Sequence, residues 1–177
     1  MRLDCLTIAG RLLLPLAIMA GSLSPALAAG APKSLGAFKK WQAMTAEADG
    51  NKSCYAMSQP SDRQGNVKGR GKSAALVTHF PEIGALDQVS IVLGFEPQAK
   101  SPVIVKIGGF TFKFTEVADD RAWVKSRADD KALVQAMRKS NQMVVTATTS
   151  KGMKVQDTYD LSGFTKAYQT MSKACTS

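Results

Sequence analysis

The stretch VIVKI-GG-FTFKF, residues 103–114, most narrows the folds open to this chain. Two runs of β-branched and aromatic residues are separated by Gly108-Gly109. A two-residue turn of this kind needs positive φ, which glycine adopts without steric cost, so the runs read as an antiparallel hairpin. Residues 87–94 (DQVSIVLG) alternate more cleanly, with Val89, Ile91 and Leu93 on one side. Residues 142–149 and 153–160 form a further hairpin about Ser150-Lys151-Gly152. Near the front, residues 38–46 and 53–59 flank Asp49-Gly50-Asn51-Lys52, which predicts a hairpin with a loop longer than two residues. Residues 74–80 and 122–124 bring the total to about nine strands. The strands come in neighbouring hairpins and do not alternate with helices. The predicted class is therefore mainly β: an antiparallel β-sandwich or open barrel with two peripheral helices, not a parallel α/β sheet.

Both helices are legible. Residues 129–139 place Asp129 and Asp130 at the start and Arg138 and Lys139 at the end, which suits the helix macrodipole. Leu133, Ala136 and Met137 share one face for docking on a sheet. The second helix closes the chain, with Ser162 as its expected N-cap. Its apolar face is Phe164, Ala167, Tyr168 and Met171, and Cys175 lies near its end.

Residues 1–28 read as a cleaved secretory leader: Arg2 and Arg11, an apolar run over residues 12–20, and Ala26-Leu27-Ala28 as an A-x-A cleavage site. The run is short for a stable membrane span, and an uncleaved anchor is the alternative. Residues 29–37 read as a short Gly/Pro/Ala tether, and residues 38–177 as one domain, long enough to bury a core unaided. Removing Arg2, Arg11 and Asp4 with the leader lowers the formal charge of +9 only by one. A basic exported domain can favour anionic partners such as lipid headgroups, surface glycans or nucleic acid, of which nucleic acid is the least expected. The basic residues are spread out with no run of five, so solubility is the plainer reading of the charge.

Export also decides how the cysteines are read. Cys5 leaves with the leader, and Cys54 and Cys175 remain. In an oxidising compartment two cysteines favour a disulfide, with free thiols or an intermolecular link as alternatives. No C-x-x-C is present, which argues against a redox-active pair.

Candidate contact residues fall in two places. Residues 61–72 (SDRQGNVKGRGK) read as a mobile, glycine-rich loop carrying Arg63, Lys68, Arg70 and Lys72, able to grip an anion. Its glycine spacing matches no phosphate-binding fingerprint, since no strand-loop-helix unit surrounds it. Arg121, Trp123 and Lys125 could meet a glycan or headgroup, although a core or rim tryptophan is the plainer reading. Phe110, Phe112 and Phe114 could stack bases or sugars on one face, but read first as core. His79 is the one histidine; it has no metal-ligand partner at suitable spacing and reads as structural. Asp119-Asp120 and Asp129-Asp130 fall at a turn and a helix start, where aspartate is ordinary. No catalytic, metal or cofactor residues are nominated, and the expectation is a non-enzyme.

The pieces F38-K-K-W41, C54-Y-A-M, R70-G-K, L76-V-T-H79-F-P81, D120-R-A-W123 and T158-Y-D-L-S-G-F164 together resemble the invasion-associated locus B family of exported proteins of Gram-negative α-proteobacteria. The likeness covers residues 38–175. It implies a β-sandwich in the periplasm, at the outer membrane or at the cell surface, with a link to host-cell invasion in some members. It supplies no catalytic residue and no cofactor. The function expected is a non-enzymatic envelope or surface binding protein, with anionic lipid, glycan or host surface as partner. The alternatives are a periplasmic protein-stabilising or assembly partner and, behind it, an envelope hydrolase.

Overall fold

The computed structural model describes residues 30–176, so the leader reading lies outside the described residues. Twelve strands and two helices form two antiparallel sheets. The larger sheet contains β1 (Gly30–Phe38), β2 (Trp41–Ala48), β3 (Asn51–Ser58), β5 (Ala74–Phe80), β6 (Ala85–Val92), β10 (Arg121–Trp123) and β9 (Glu116–Ala118), in that spatial order. The smaller runs β4 (Asp62–Gln64), β12 (Lys154–Asp160), β11 (Gln142–Thr148), β7 (Val103–Ile107) and β8 (Phe110–Phe114). The mainly β, two-sheet class expected from hairpin patterning is the class observed, and neither sheet closes into a barrel.

Helix α1 (Arg127–Lys139) starts at Ser126, whose side chain accepts from Ala128 N. Helix α2 (Phe164–Thr176) lies against β1, β2 and β3. Phe164 packs edge-on to Trp41 at 4.8 Å between centroids, and Trp41 Nε1 donates to Asp160 O at 2.9 Å. One core therefore joins both sheets and both helices.

Several details depart from the sequence reading. The expected tether is β1, paired with β2 through an irregular register. Pro32 is tolerated there because β1 is an edge strand, where one row of amides needs no partner. The expected strand over residues 38–46 is the end of β1, a turn at Lys39-Lys40 and most of β2. The first hairpin loop is only Asp49-Gly50, with Ala48 paired to Asn51. Ser162 is not the cap of α2, which begins after Gly163. Gly163 is left-handed at φ 92°, and a Cβ there would run into the Phe38 carbonyl. The helix is thus seated on the β1–β2 turn through bare backbone, while Asp160 Oδ1 accepts from Ser162 N at 2.8 Å. The Phe ladder splits: Phe114 is buried, Phe112 packs partly on the core, and Phe110 is 64% exposed.

Candidate functional site

The basic stretch is neither free nor uniform. Its first residues form β4, paired with β12. Arg63 is exposed, and its Nη2 donates to Gly71 O at 2.8 Å. Gly71 N donates to Gly94 O at 2.8 Å, so the loop is clipped to the chain just after β6. Gly94 is left-handed, and a Cβ there would collide with the Gly71 carbonyl; glycine permits the approach. Lys68 and Lys72 remain exposed.

Arg70 is different, and the expectation that it contacts a ligand is corrected. Its side chain turns inward, 7% exposed, and pairs with Asp157 at 2.5 Å; Asp157 is 1% exposed. The guanidinium also donates to Ser73 Oγ at 3.0 Å and to Leu93 O at 3.2 Å, and it stacks on Phe95. Burial of a charge is tolerated where it is paired and hydrogen-bonded. Satisfaction is incomplete among the described residues: Arg70 Nη1, Asp157 Oδ1 and Tyr159 Oη are buried without a hydrogen-bond partner. Burial pushes the Tyr159 phenol up, and Asp157 adds to the shift, so it stays neutral.

Arg121, Trp123 and Lys125 share a face, because Ala122 and Val124 take the inward positions of the alternation. Trp123 is half-buried at the rim, and Arg121 and Lys125 are exposed. Leu93 links this group to the loop: its N–H donates to Asp120 O at 2.7 Å while its carbonyl accepts from Arg70. Ala74, Val92 and Arg121 form one cross-strand row. The sequence treats the two basic stretches separately; in the fold Leu93 and Gly94 link them, holding the loop at Arg70 and Gly71 and the turn at Asp120.

His79 is buried and sits between Ser172 and Asp87. A histidine between a serine and an aspartate invites comparison with a hydrolase triad, but the proton is on the wrong nitrogen. Asp87 N donates to His79 Nδ1 at 3.0 Å, so Nδ1 is the acceptor. Nε2 then carries the hydrogen and donates to Ser172 Oγ at 3.0 Å. A general base needs a free lone pair toward the serine, and this ring presents none. The Asp87 carboxylate is taken by Tyr168 Oη, at 2.6 Å. The group pins α2 to β5 and β6.

Two buried groups here set opposite pH dependences. Burial lowers the His79 pKa from 6.5, outweighing the raising effect of Asp87. The fold favours the neutral ring, so its contribution is full above pH 6.5 and lost as pH falls through the lowered folded value. Burial raises the Asp130 pKa from 3.8 to about 6, against the lowering effect of Val89 N, which donates to its carboxylate at 2.8 Å. Its contribution is full below pH 3.8 and lost as pH rises through about 6. We expect the two to offset on the acid side. In His79→Gln the melting temperature should rise as pH falls from 6.5, and in Asp130→Asn it should fall more steeply than in the parent. Calorimetric scans across this range check both, and parallel profiles would refute the assignment.

A cleft of about 980 Å³ lies elsewhere. It is open and lies between the loop after β6 and the strands β8 to β10, with Glu96, Glu116, Asp119 and Asp120 beside Lys100 and Lys113. The charges are mixed, and none of the sequence-nominated contact residues lines it. Among the described residues no group of three or more His, Cys, Asp or Glu side chains could hold a metal ion. No helix among them is long and apolar enough to cross a membrane.

Cys54 and Cys175 are bonded, with Cα atoms 5.9 Å apart and a sequence separation of 121. Of the alternatives left open by the sequence, the intramolecular bridge is the one formed. Lys52 Nζ donates to Ala174 O beside it. The missed part of the site is the Arg70–Asp157–Tyr159–Phe95 cluster. Its one sequence signal was an apolar alternation in β12 with Asp157 at an inward position.

With this geometry in place, comparison with known proteins adds a lineage. A family model described as "Invasion associated locus B (IalB) protein" matches residues 41–172. Among solved structures, the crystal structure of invasion associated protein B from Bartonella henselae is similar, with a TM-score of 0.56 and 17% sequence identity. The match covers 80% of this chain and 96% of that one. At that identity the likeness concerns the fold. No curated protein sequence matches.

Proposed function

This chain belongs to the invasion associated locus B family, and from that premise we propose that it is a non-enzymatic, exported binding protein of the cell envelope or cell surface. Its contact surface is the basic margin where the two stretches meet: Arg63 on β4, Lys68 and Lys72 on the clipped loop, with Arg121 and Lys125 beside Trp123. The observation that carries this reading is the bridge at Leu93. It ties Arg70 on one side and Asp120 on the other, and so joins the two stretches that carry the exposed cations. An anionic lipid headgroup or glycan is the partner that such a rim attracts. The inactive proton placement at His79 supports a binding role over hydrolysis.

The test separates surface charge from structure. In the triple variant Arg63→Gln, Lys68→Gln, Lys72→Gln, affinity for anionic phospholipid vesicles should fall about 100-fold, taking about 1 kcal/mol per cation near the surface. Binding should weaken with salt, since exposed charges are screened. The melting temperature should stay within error, because all three side chains are exposed. Vesicle binding that survives the triple substitution would remove this loop from the contact surface.

A further inference from the structure

The outer face of the large sheet has the composition of an interface. Pairing puts Gln42, Met57, Leu76, Ser90 and Trp123 in one row across β2, β3, β5, β6 and β10. The next row holds Met44, Tyr55, Thr78 and Gln88 across β2, β3, β5 and β6. Neither row contains a charge until Glu116 at the margin. A solvated sheet face ordinarily alternates to polar and charged residues. The small sheet obeys that rule: its outer rows carry Lys106 and Lys113 among threonines. Both helices pack on the opposite, inner side of the large sheet, where their apolar residues join the common core.

We propose that this face is the contact between two copies of the chain, packed back to back about a twofold axis. Charge selects a second copy. Each chain carries 23 Lys and Arg against 14 Asp and Glu, so two copies repel over most of their surface. An isologous contact sets each patch against itself, and a patch with lysines would oppose like charges. Of the two outer sheet faces, this one is free of that penalty. Thr78 and Ser90 are only 8% and 5% exposed, so the larger side chains around them make the contact surface.

Size agrees as well. Four strands of about seven residues and the three-residue β10, at about 4.8 Å spacing and 3.3 Å per residue, give roughly 490 Å² in projection per copy. Two copies bury roughly 1,000 Å², the size at which a specific interface begins. Arg121 and Lys125 lie outside it and form a polar rim, the usual anatomy of a protein–protein contact. The pairing does not depend on what the basic margin binds.

Leu76 is on β5, the middle strand of β2, β3, β5, β6 and β10, and so meets its own counterpart near the axis. That gives a direct test by sedimentation equilibrium on the whole chain, expressed as encoded with its disulfide intact. The parent should move from monomer toward twice the monomer mass across the micromolar range. Leu76→Lys and Leu76→Glu should each remain monomeric, and an equal mixture of the two should regain the dimer. Should Leu76→Lys fail to fold, Tyr55→Lys in the next row takes its place. A parent that stays monomeric, a folded variant that associates like the parent, or a mixture that does not recover would each overturn the proposal.

Discussion

Arg70→Ala is expected to lower the free energy of unfolding by about 3–5 kcal/mol, the range for removing one partner of a buried ion pair. The loss comes less from the missing attraction than from what is left behind. Asp157, 1% exposed, would keep a carboxylate with no counter-charge. Ser73 Oγ would lose its donor, and Leu93 O would keep only Ser73 Oγ of its side-chain donors. Arg70→Lys should recover only part of the loss, because an ammonium cannot serve these acceptors in the guanidinium's planar, forked geometry or stack on Phe95 in the same way. Replacing both partners with apolar residues of similar volume, Arg70→Met with Asp157→Leu, should cost far less than either single change. Urea titration of these variants checks the ordering. A single-variant cost below about 1 kcal/mol would mean that the pair behaves as an exposed one. The contrast with Arg63, Lys68 and Lys72 is the sharper result: four basic residues on one loop, of which one is part of the interior.

Removing the Cys54–Cys175 bridge, as Cys54→Ala with Cys175→Ala, should cost about 2–5 kcal/mol. The chain-entropy contribution grows with the enclosed loop, and a 121-residue separation is near the upper end of that range. At about 2–4 °C per kcal/mol for a domain of this size, the melting temperature should fall by about 10 °C. The helix should stay docked at ambient temperature, because Phe164, Ala167 and Met171 are fully buried on their own account. Near-UV dichroism should therefore look native until melting begins. A double variant that melts with the parent would show that the bridge adds nothing to the packing around it.

The parts of this fold that were legible in the sequence are those whose signal is local. Val89, Ile91 and Leu93 alternate in β6, glycines mark the β7–β8 turn, and acidic and basic ends mark α1. What escaped depends on partners far along the chain. β1 contains Gly, Pro and Ala with no alternation, and only pairing with β2 makes it a strand. β4 is three polar residues that exist as a strand because β12 offers an edge. Arg70 looks like any cation in a glycine-rich loop, since its partner is 87 residues away. Phe110 follows the same alternation as Phe114 but lies at the turn end of a margin strand, where little covers it. The basic residues were found, but not their division into surface and interior, which burial alone decides.

The strand order has a consequence for how the molecule opens. The chain crosses between the sheets repeatedly: β1–β3 in one, β4 in the other, β5 and β6 back again, then β7 and β8, β9 and β10, and finally β11 and β12. Neither layer is a continuous piece of sequence, and α2 closes on strands made by the first third of the chain. No contiguous segment holds a core of its own, so the domain has no natural half-unfolded form. Amide hydrogens in the central strands of both sheets should exchange through the same global opening, with one shared protection free energy, instead of in graded local steps.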